Sequence, residues 1–225
     1  RIIVAEYGPS GELLWTVRLP ISPSGELGLT VDRKGDVYFA GGSYGNIELA
    51  GSSVDYGTFV GKIAADGTPL WIRGASNEDG YFPSVHDLVT DEDDNLYVSG
   101  FYYYYPFTIA GVTVPPSQQL NGYVVKMSPD GTGLYAKGLV MSSYSGSLEI
   151  AAARGGDLLV GMTVQGGVDF GGAFVGTADG QMNAVLARLG PGGEHVKSFA
   201  VDGQGGRYIY DIAADPEGQL VLLGG

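Results

Sequence analysis

Three acidic residues, Asp87, Glu149 and Asp211, follow one another at intervals of 62 residues. Carboxylates at matching positions of a repeated unit are brought close together wherever the units gather about an axis. Like charges so placed repel, and a cation or hydrogen-bond donors must offset them. One expectation is therefore calcium or another cation held by Asp87, Glu149 and Asp211. The alternative is that each carboxylate accepts amide hydrogen bonds from its own adjoining loop. No other cofactor is implied. The chain has two histidines and no cysteine, which removes thiolate chemistry and cysteine-ligated metals. His86 and His195 fall at different points of the repeat, which argues against a two-histidine metal site. Neither is accompanied by a G-x-S-x-G nucleophile turn. GTFVGKI, residues 57–63, mimics a phosphate loop but lacks its spacing and the hydroxyl residue after the lysine. DEDDN, residues 91–95, has the look of a calcium loop. DRKGD and DPEGQ occupy the same register without most of its acids, which favours a turn whose first Asp bonds its own backbone amides.

These residues are positioned by two interleaved series of short apolar runs. VAEYGPSGELLW, VGKIAADGTPLW, VVKMSPDGTGLY and VLARLGPGGEHVK align on Gly11, Gly67, Gly131 and Gly193, with spacings of 56, 64 and 62. LTVDRKGDVYFAGG, LVTDEDDNLYVSGF, IAAARGGDLLVGM and IAADPEGQLVLLGG align on Asp36, Asn95, Asp157 and Gln219, with spacings of 59, 62 and 62. A shared period of that size marks a repeat architecture. Each period is read as four short strands, A to D, with hairpin turns A–B and C–D. That is the blade of a β-propeller, and turn glycines interrupt every stretch too often for a helical solenoid. The expected fold is all-β: one domain, residues 1–225, of four-stranded antiparallel blades in four blade-equivalents. The chain starts in a C–D pair and ends in an A–B pair, so the two could complete a fourth blade; an arc of a larger ring is the alternative. The opening RIIVAEY, already in a strand pattern, reads as the start of a mature or excised piece.

VTDEDDNLYVSG, TVDRKGDVYFAGG and YVVKMSPDGTGLYAKGL resemble the bacterial β-propeller repeat family, with its SBBP- and NHL-like repeats. DGTPLW is similar to quinoprotein-type propeller repeats. The resemblance spans the whole chain and implies a secreted, periplasmic or cell-surface propeller. It brings no catalytic residue with it. Ala153 departs from the turn Asp, and Lys197 from the position of Trp15 and Trp71, which implies different packing in the last blades.

With 25 acids against 12 bases, the formal charge is −13, a surface that repels phosphate backbones and anionic membranes. Nucleic acid is excluded as a partner, and no apolar run is long enough for membrane insertion. Partners should meet the face carrying the B–C and D–A connections, because it varies in length and is aromatic, whereas the turn face is nearly uniform. GFYYYYPF, residues 100–107, falls at the end of strand B and in the B–C connection. The candidate ligand contacts are Tyr81, Phe82, Tyr102, Tyr103, Tyr104, Tyr105, Tyr144 and Tyr208, for a glycan or protein partner. The alternative for the tyrosine run is a loop packed on its own blade. The function expected is a non-catalytic extracellular or cell-surface binding or scaffold module; the competing expectation is a polysaccharide lyase or hydrolase using the same face.

Overall fold

Apolar and β-branched runs of three to nine residues, cut by glycine turns, fold into short antiparallel strands. The computed structural model describes every residue except 77–79, 118, 144, 177–180, 202–205 and 216. Among the described residues no helix is long and apolar enough to cross a membrane. β1 (Ile2–Tyr7) and β2 (Leu13–Leu19) pair as a hairpin. The first blade is β3 (Pro23–Val31), β4 (Val37–Ser43), β7 (Gly57–Ile63) and β8 (Pro69–Ser76), with β5 (Ile47–Leu49) and β6 (Ser52–Val54) between its second and third strands. The second is β9 (Asp87–Thr90), β10 (Leu96–Tyr103), β13 (Leu120–Met127) and β14 (Gly133–Met141), interrupted by β11 (Phe107–Ile109) and β12 (Val112–Val114). The third is β15 (Ser145–Ala152), β16 (Leu158–Gln165), β19 (Met182–Leu189) and β20 (His195–Ala200), interrupted by β17 (Gly167–Asp169) and β18 (Phe174–Gly176). β21 (Ile209–Ala214) pairs with β22 (Leu220–Gly224). First strands of successive blades lie side by side, β3 by β9, β9 by β15, β15 by β21. The result is an all-β, propeller-like array. The two terminal hairpins are separate two-stranded sheets, and β1 is not hydrogen-bonded to β22.

The period holds six strands, not four. IELAGSSV and FTIAGVTV, read above as parts of loops, are tight hairpins in the B–C connections. Their two-residue turns place Ala50 and Gly51 at φ 51° and 73°, and Ala110 and Gly111 at 53° and 87°. Both central residues of a type I′ turn need positive φ, which is strained for alanine and free for glycine. The β11–β12 hairpin bridges two blades, whereas β5–β6 forms a separate two-stranded sheet against β8 of its own blade. β11 pairs with β8 of the preceding blade, while β12 packs on β14 of its own. β17 likewise pairs with β14.

The core lies between blades. Tyr38, Val60 and Trp71 of the first meet Leu96, Val98 and Tyr123 of the second. Val124, Leu139 and Met141 of the second meet Leu148, Val160 and Val185 of the third. A recurring aromatic keystone locks successive blades on the turn side. Trp15 covers Gly67 and donates its Nε1–H to the Ala65 carbonyl at 3.0 Å; Trp71 covers Gly131 and donates to Pro129 at 3.1 Å; Tyr135 covers Gly193. Any Cβ on those glycines would come within 3 Å of the ring.

The turn acids act as the sequence suggested. Asp91 Oδ1 accepts the amides of Asp93 and Asn95 at 3.0 and 2.9 Å, and Asp32 those of Lys34 and Asp36. Each also meets a buried lysine: Lys62 lies 3.1 Å from Asp32, and Lys126 lies 3.0 Å from Asp91. Burial opposes the Lys62 charge, yet hydrogen bonds with Tyr38, Asp36 and Asp32 carry its pKa well above the usual lysine range. Tyr38 and Tyr97 then donate their hydroxyls to Asp94 and Gly156 carbonyls of the next blade, at 3.0 and 2.7 Å. The third blade departs as a set. Ala153 and Leu159 replace the acid and the tyrosine, and both join an apolar cluster with Ile209 and Ile212.

Candidate binding groove

Three depressions run into one another across the face that carries the B–C and D–A connections. The first, about 430 Å³, is lined by Ser24, Glu26, Tyr44, Tyr56, Tyr81 and Phe82 among others. It shares Gly25, Glu26, Ser84 and Val85 with a second of about 380 Å³, which adds His86, Phe101, Tyr103 and Leu120. His86 and Gly146 carry over into a third of about 470 Å³, walled by Glu149, Met182, Tyr208 and Tyr210.

The lining repeats with the fold. Tyr44 and Tyr103 follow or end the second strand of their blades at the same register, and Tyr56, Leu120 and Met182 stand at the start of the third strand or one residue before it. Side chains there project beyond the sheet, so repetition lines the groove with large residues. Tyr44 and Tyr56 approach with ring centroids 5.9 Å apart, and Tyr56 meets Phe82 edge-on at 5.4 Å. Phe82 can lie there because Gly57, at φ 126°, has no Cβ to meet its ring. Tyr44, Tyr56, His86, Phe101 and Tyr210 are not among the ligand contacts expected from the sequence. The register that aligned the glycine turns, carried on to the strand ends, would have found the first two.

The tyrosine run divides. Tyr102 is 4% exposed, contrary to its reading as a ligand contact. Its ring packs edge-on against Phe107 and Tyr123, and its hydroxyl donates to the Pro115 carbonyl at 3.0 Å. The hairpin that follows covers the side of β10 on which it points. Tyr103 and Tyr104 are more than half exposed, the latter at φ 52°. Tyr105 stacks on Tyr81 at 5.5 Å. Tyr81, Phe82, Tyr103 and Tyr208 line the groove. Tyr144 lies outside the described residues.

Two of the three acids accept backbone amides. Asp87 accepts the amide of Leu88 at 2.7 Å and, from the next blade, that of Ile150 at 3.0 Å. The second donor is in a neighbouring blade rather than in the acid's own loop, because first strands of successive blades run side by side. Asp211 accepts the amide of Ile212 at 2.8 Å. Glu149 lies 3.8 Å from Nε2 of His86, whose Nδ1 is 3.0 Å from Glu26. Among the described residues no group of three or more His, Asp or Glu is arranged to hold a metal ion.

Burial pushes the Glu149 carboxyl up, against His86 and with help from Asp87, Asp211 and Glu26; burial also raises Asp87, against the amides of Ile150 and Leu88. A carboxyl raised in the fold is stabilising below its unfolded pKa relative to its ionised form, and that advantage is lost as pH rises through the folded value. Glu149→Gln should therefore melt higher than the parent at pH 7.5, with the gap closing by pH 4. A parent that melts higher at pH 7.5 would show that pairing with His86 outweighs the burial.

No family model matches the chain, and no curated protein does. Among solved structures it is similar to a protein of unknown function from Dyadobacter fermentans DSM 18053, 13% identical, over 96% of this chain and 60% of that one, with a TM-score of 0.47. A protein of unknown function from Bacteroides caccae is 12% identical over 85% of this chain and 87% of that one, TM-score 0.33. A structure described as a "putative gluconolactonase" is 16% identical over 97% and 76%, TM-score 0.32. The chain thus spans about three-fifths of the first of these.

Proposed function

We propose that this chain is a non-catalytic binding module, extracellular or cell-surface, whose ligand is an extended glycan lying along the groove. The supporting observation is the continuity of the three depressions, walled by exposed tyrosines with polar neighbours. Tyrosine offers a sugar a flat apolar face and a hydroxyl at low entropic cost. An extended peptide is less well served. The strands meet this face end-on, so they present no open edge for β-strand addition, the mode that gives a peptide most of its affinity. The extracellular placement rests on the repeat resemblance alone.

A polysaccharide lyase or hydrolase is the second reading, favoured by the protonation-prone Glu149 beside His86 in the groove. Acid–base catalysis by paired carboxyls needs their pKa values pushed apart. Burial pushes both Asp87 and Glu149 up.

A combined glycan and peptide array tests this with the parent, Tyr56→Ala, Tyr103→Ala and the turn-face control Asp93→Asn. The expected result is glycan binding that weakens by about tenfold or more in each tyrosine variant, the scale of an interface hot spot, and is unchanged in the control. Peptide binding alone, or loss in the control, overturns the glycan assignment. Shortened oligosaccharides in the incubated mixture would establish the second reading.

A further inference from the structure

Among the described residues, Glu149 is the acid of the repeated three whose carboxylate meets no donor. Its side chain is 17% exposed and lines the third depression, and Nε2 of His86 stays 3.8 Å away, beyond hydrogen-bond distance. A largely buried carboxylate in that state lacks a hydrogen bond that a ligand can supply. Asp87 and Asp211, which do accept amides, add negative charge around it. Glu26 adds more from the second depression, with its side chain 70% exposed.

No fixed cation of the chain answers these acids. Every Lys and Arg is among the described residues, yet none lines any of the three depressions. Lys62, Lys126 and Arg188 are engaged by acids of the turns, and Arg73 donates to the Gly131 and Asp130 carbonyls of another turn. Arg207, beside Tyr208, buries its Nε and stands outside the lining. A sugar unit carrying carboxylate or sulfate would meet like charge in this groove. A neutral hydroxyl could donate to Glu149 but would leave its charge uncompensated. A primary ammonium does both, and Phe101, Tyr208 and Tyr210 supply rings that attract a cation.

We propose, on the glycan reading above, that the groove takes an amino-sugar glycan with free amino groups, one of whose ammonium groups is seated on Glu149 beside His86. The seat lies where the second and third depressions join. The same acids turn away glycans built from uronate or sulfated units.

Hexamers of β-linked glucosamine and of its N-acetylated form, titrated at pH 6.5, separate charge from shape. The parent should bind the free amine about tenfold more tightly, the scale of one charge-assisted hydrogen bond. Glu149→Gln keeps the side-chain shape and should bring the two affinities nearly level. Asp93→Asn removes one charge from the turn face and should leave the preference as it is. An equal loss in Asp93→Asn would trace the preference to the acidic surface as a whole and overturn the proposal. Equal affinity of the parent for both hexamers overturns the ammonium seat and leaves the glycan reading standing. Binding of neither hexamer overturns the seat as well, and the array above then decides the glycan reading by itself. Spermine bound as tightly as the glucosamine hexamer would overturn the sugar assignment, because the ammonium alone would then carry the affinity.

Discussion

Asp91→Ala is expected to destabilise the protein by about 3–5 kcal/mol, because it strands a buried cation. The side chains of Lys126 and Asp91 are 7% and 1% exposed, with Nζ and Oδ2 3.0 Å apart. Asp91 also accepts the amides of Asp93 and Asn95 and the side-chain amide of Asn95, so its removal opens the turn as well. Among the described residues, the Lys126 ammonium would keep the face of Tyr97, 4.8 Å away. Such a contact contributes about 2 kcal/mol when desolvated, less than the cost of a stranded buried charge. The third blade shows how this chain manages without the pair: Ala153 stands in the acid's place, and the base, Arg188, is 42% exposed and reaches a different acid. Asp91→Ala/Lys126→Met should accordingly recover most of the loss. Urea melts of the two single variants and the double close the cycle. A double variant as unstable as Asp91→Ala alone would put the cost in the turn rather than in the stranded charge.

The blades were legible because their constraints recur. Gly11, Gly67, Gly131 and Gly193 all hold φ between 80° and 85°, and three of them lie against an aromatic side chain. A conformation that only glycine adopts easily leaves the same mark in each period. The interposed hairpins left a weaker one. Their three-residue strands are too short for alternation to show, and Ala50 and Ala110 occupy turn positions where Asn or Gly is the usual signal. The packing of Ala153 with its neighbours was anticipated only as a departure, since Leu159 and Ile212 meet it from distant parts of the chain. At the groove, tyrosine density was a poorer guide than register. It drew attention to the run at 102–105 and away from the single tyrosines 44 and 56, which line the first depression. The pairing of His86 with Glu26 and Glu149 joins three different blade segments, and nothing local in the sequence announces it.

Within the tyrosine run, adjacent residues should respond in opposite ways. Tyr102→Ala is expected to cost about 3–5 kcal/mol, the range for removing a buried aromatic side chain. Tyr103→Ala should stay within about 0.5 kcal/mol, as exposed positions do. The difference follows from what covers each ring. Tyr102 is wedged between Phe107 of the β11 hairpin and Tyr123 of β13. Emptying that place loosens the hairpin that ties the second blade to β8 of the first. Tyr102→Phe isolates the polar contribution. It keeps the ring, leaves the Pro115 carbonyl without its donor, and should cost about 1 kcal/mol. Ligand binding should follow the reverse order, with Tyr103→Ala impaired and Tyr102→Phe unaffected. Equal destabilisation by the two alanine variants would mean that Tyr103 is also packed in solution. In that case the groove would lose one of its walls, and the binding surface would contract to the cleft of Tyr44, Tyr56 and Phe82.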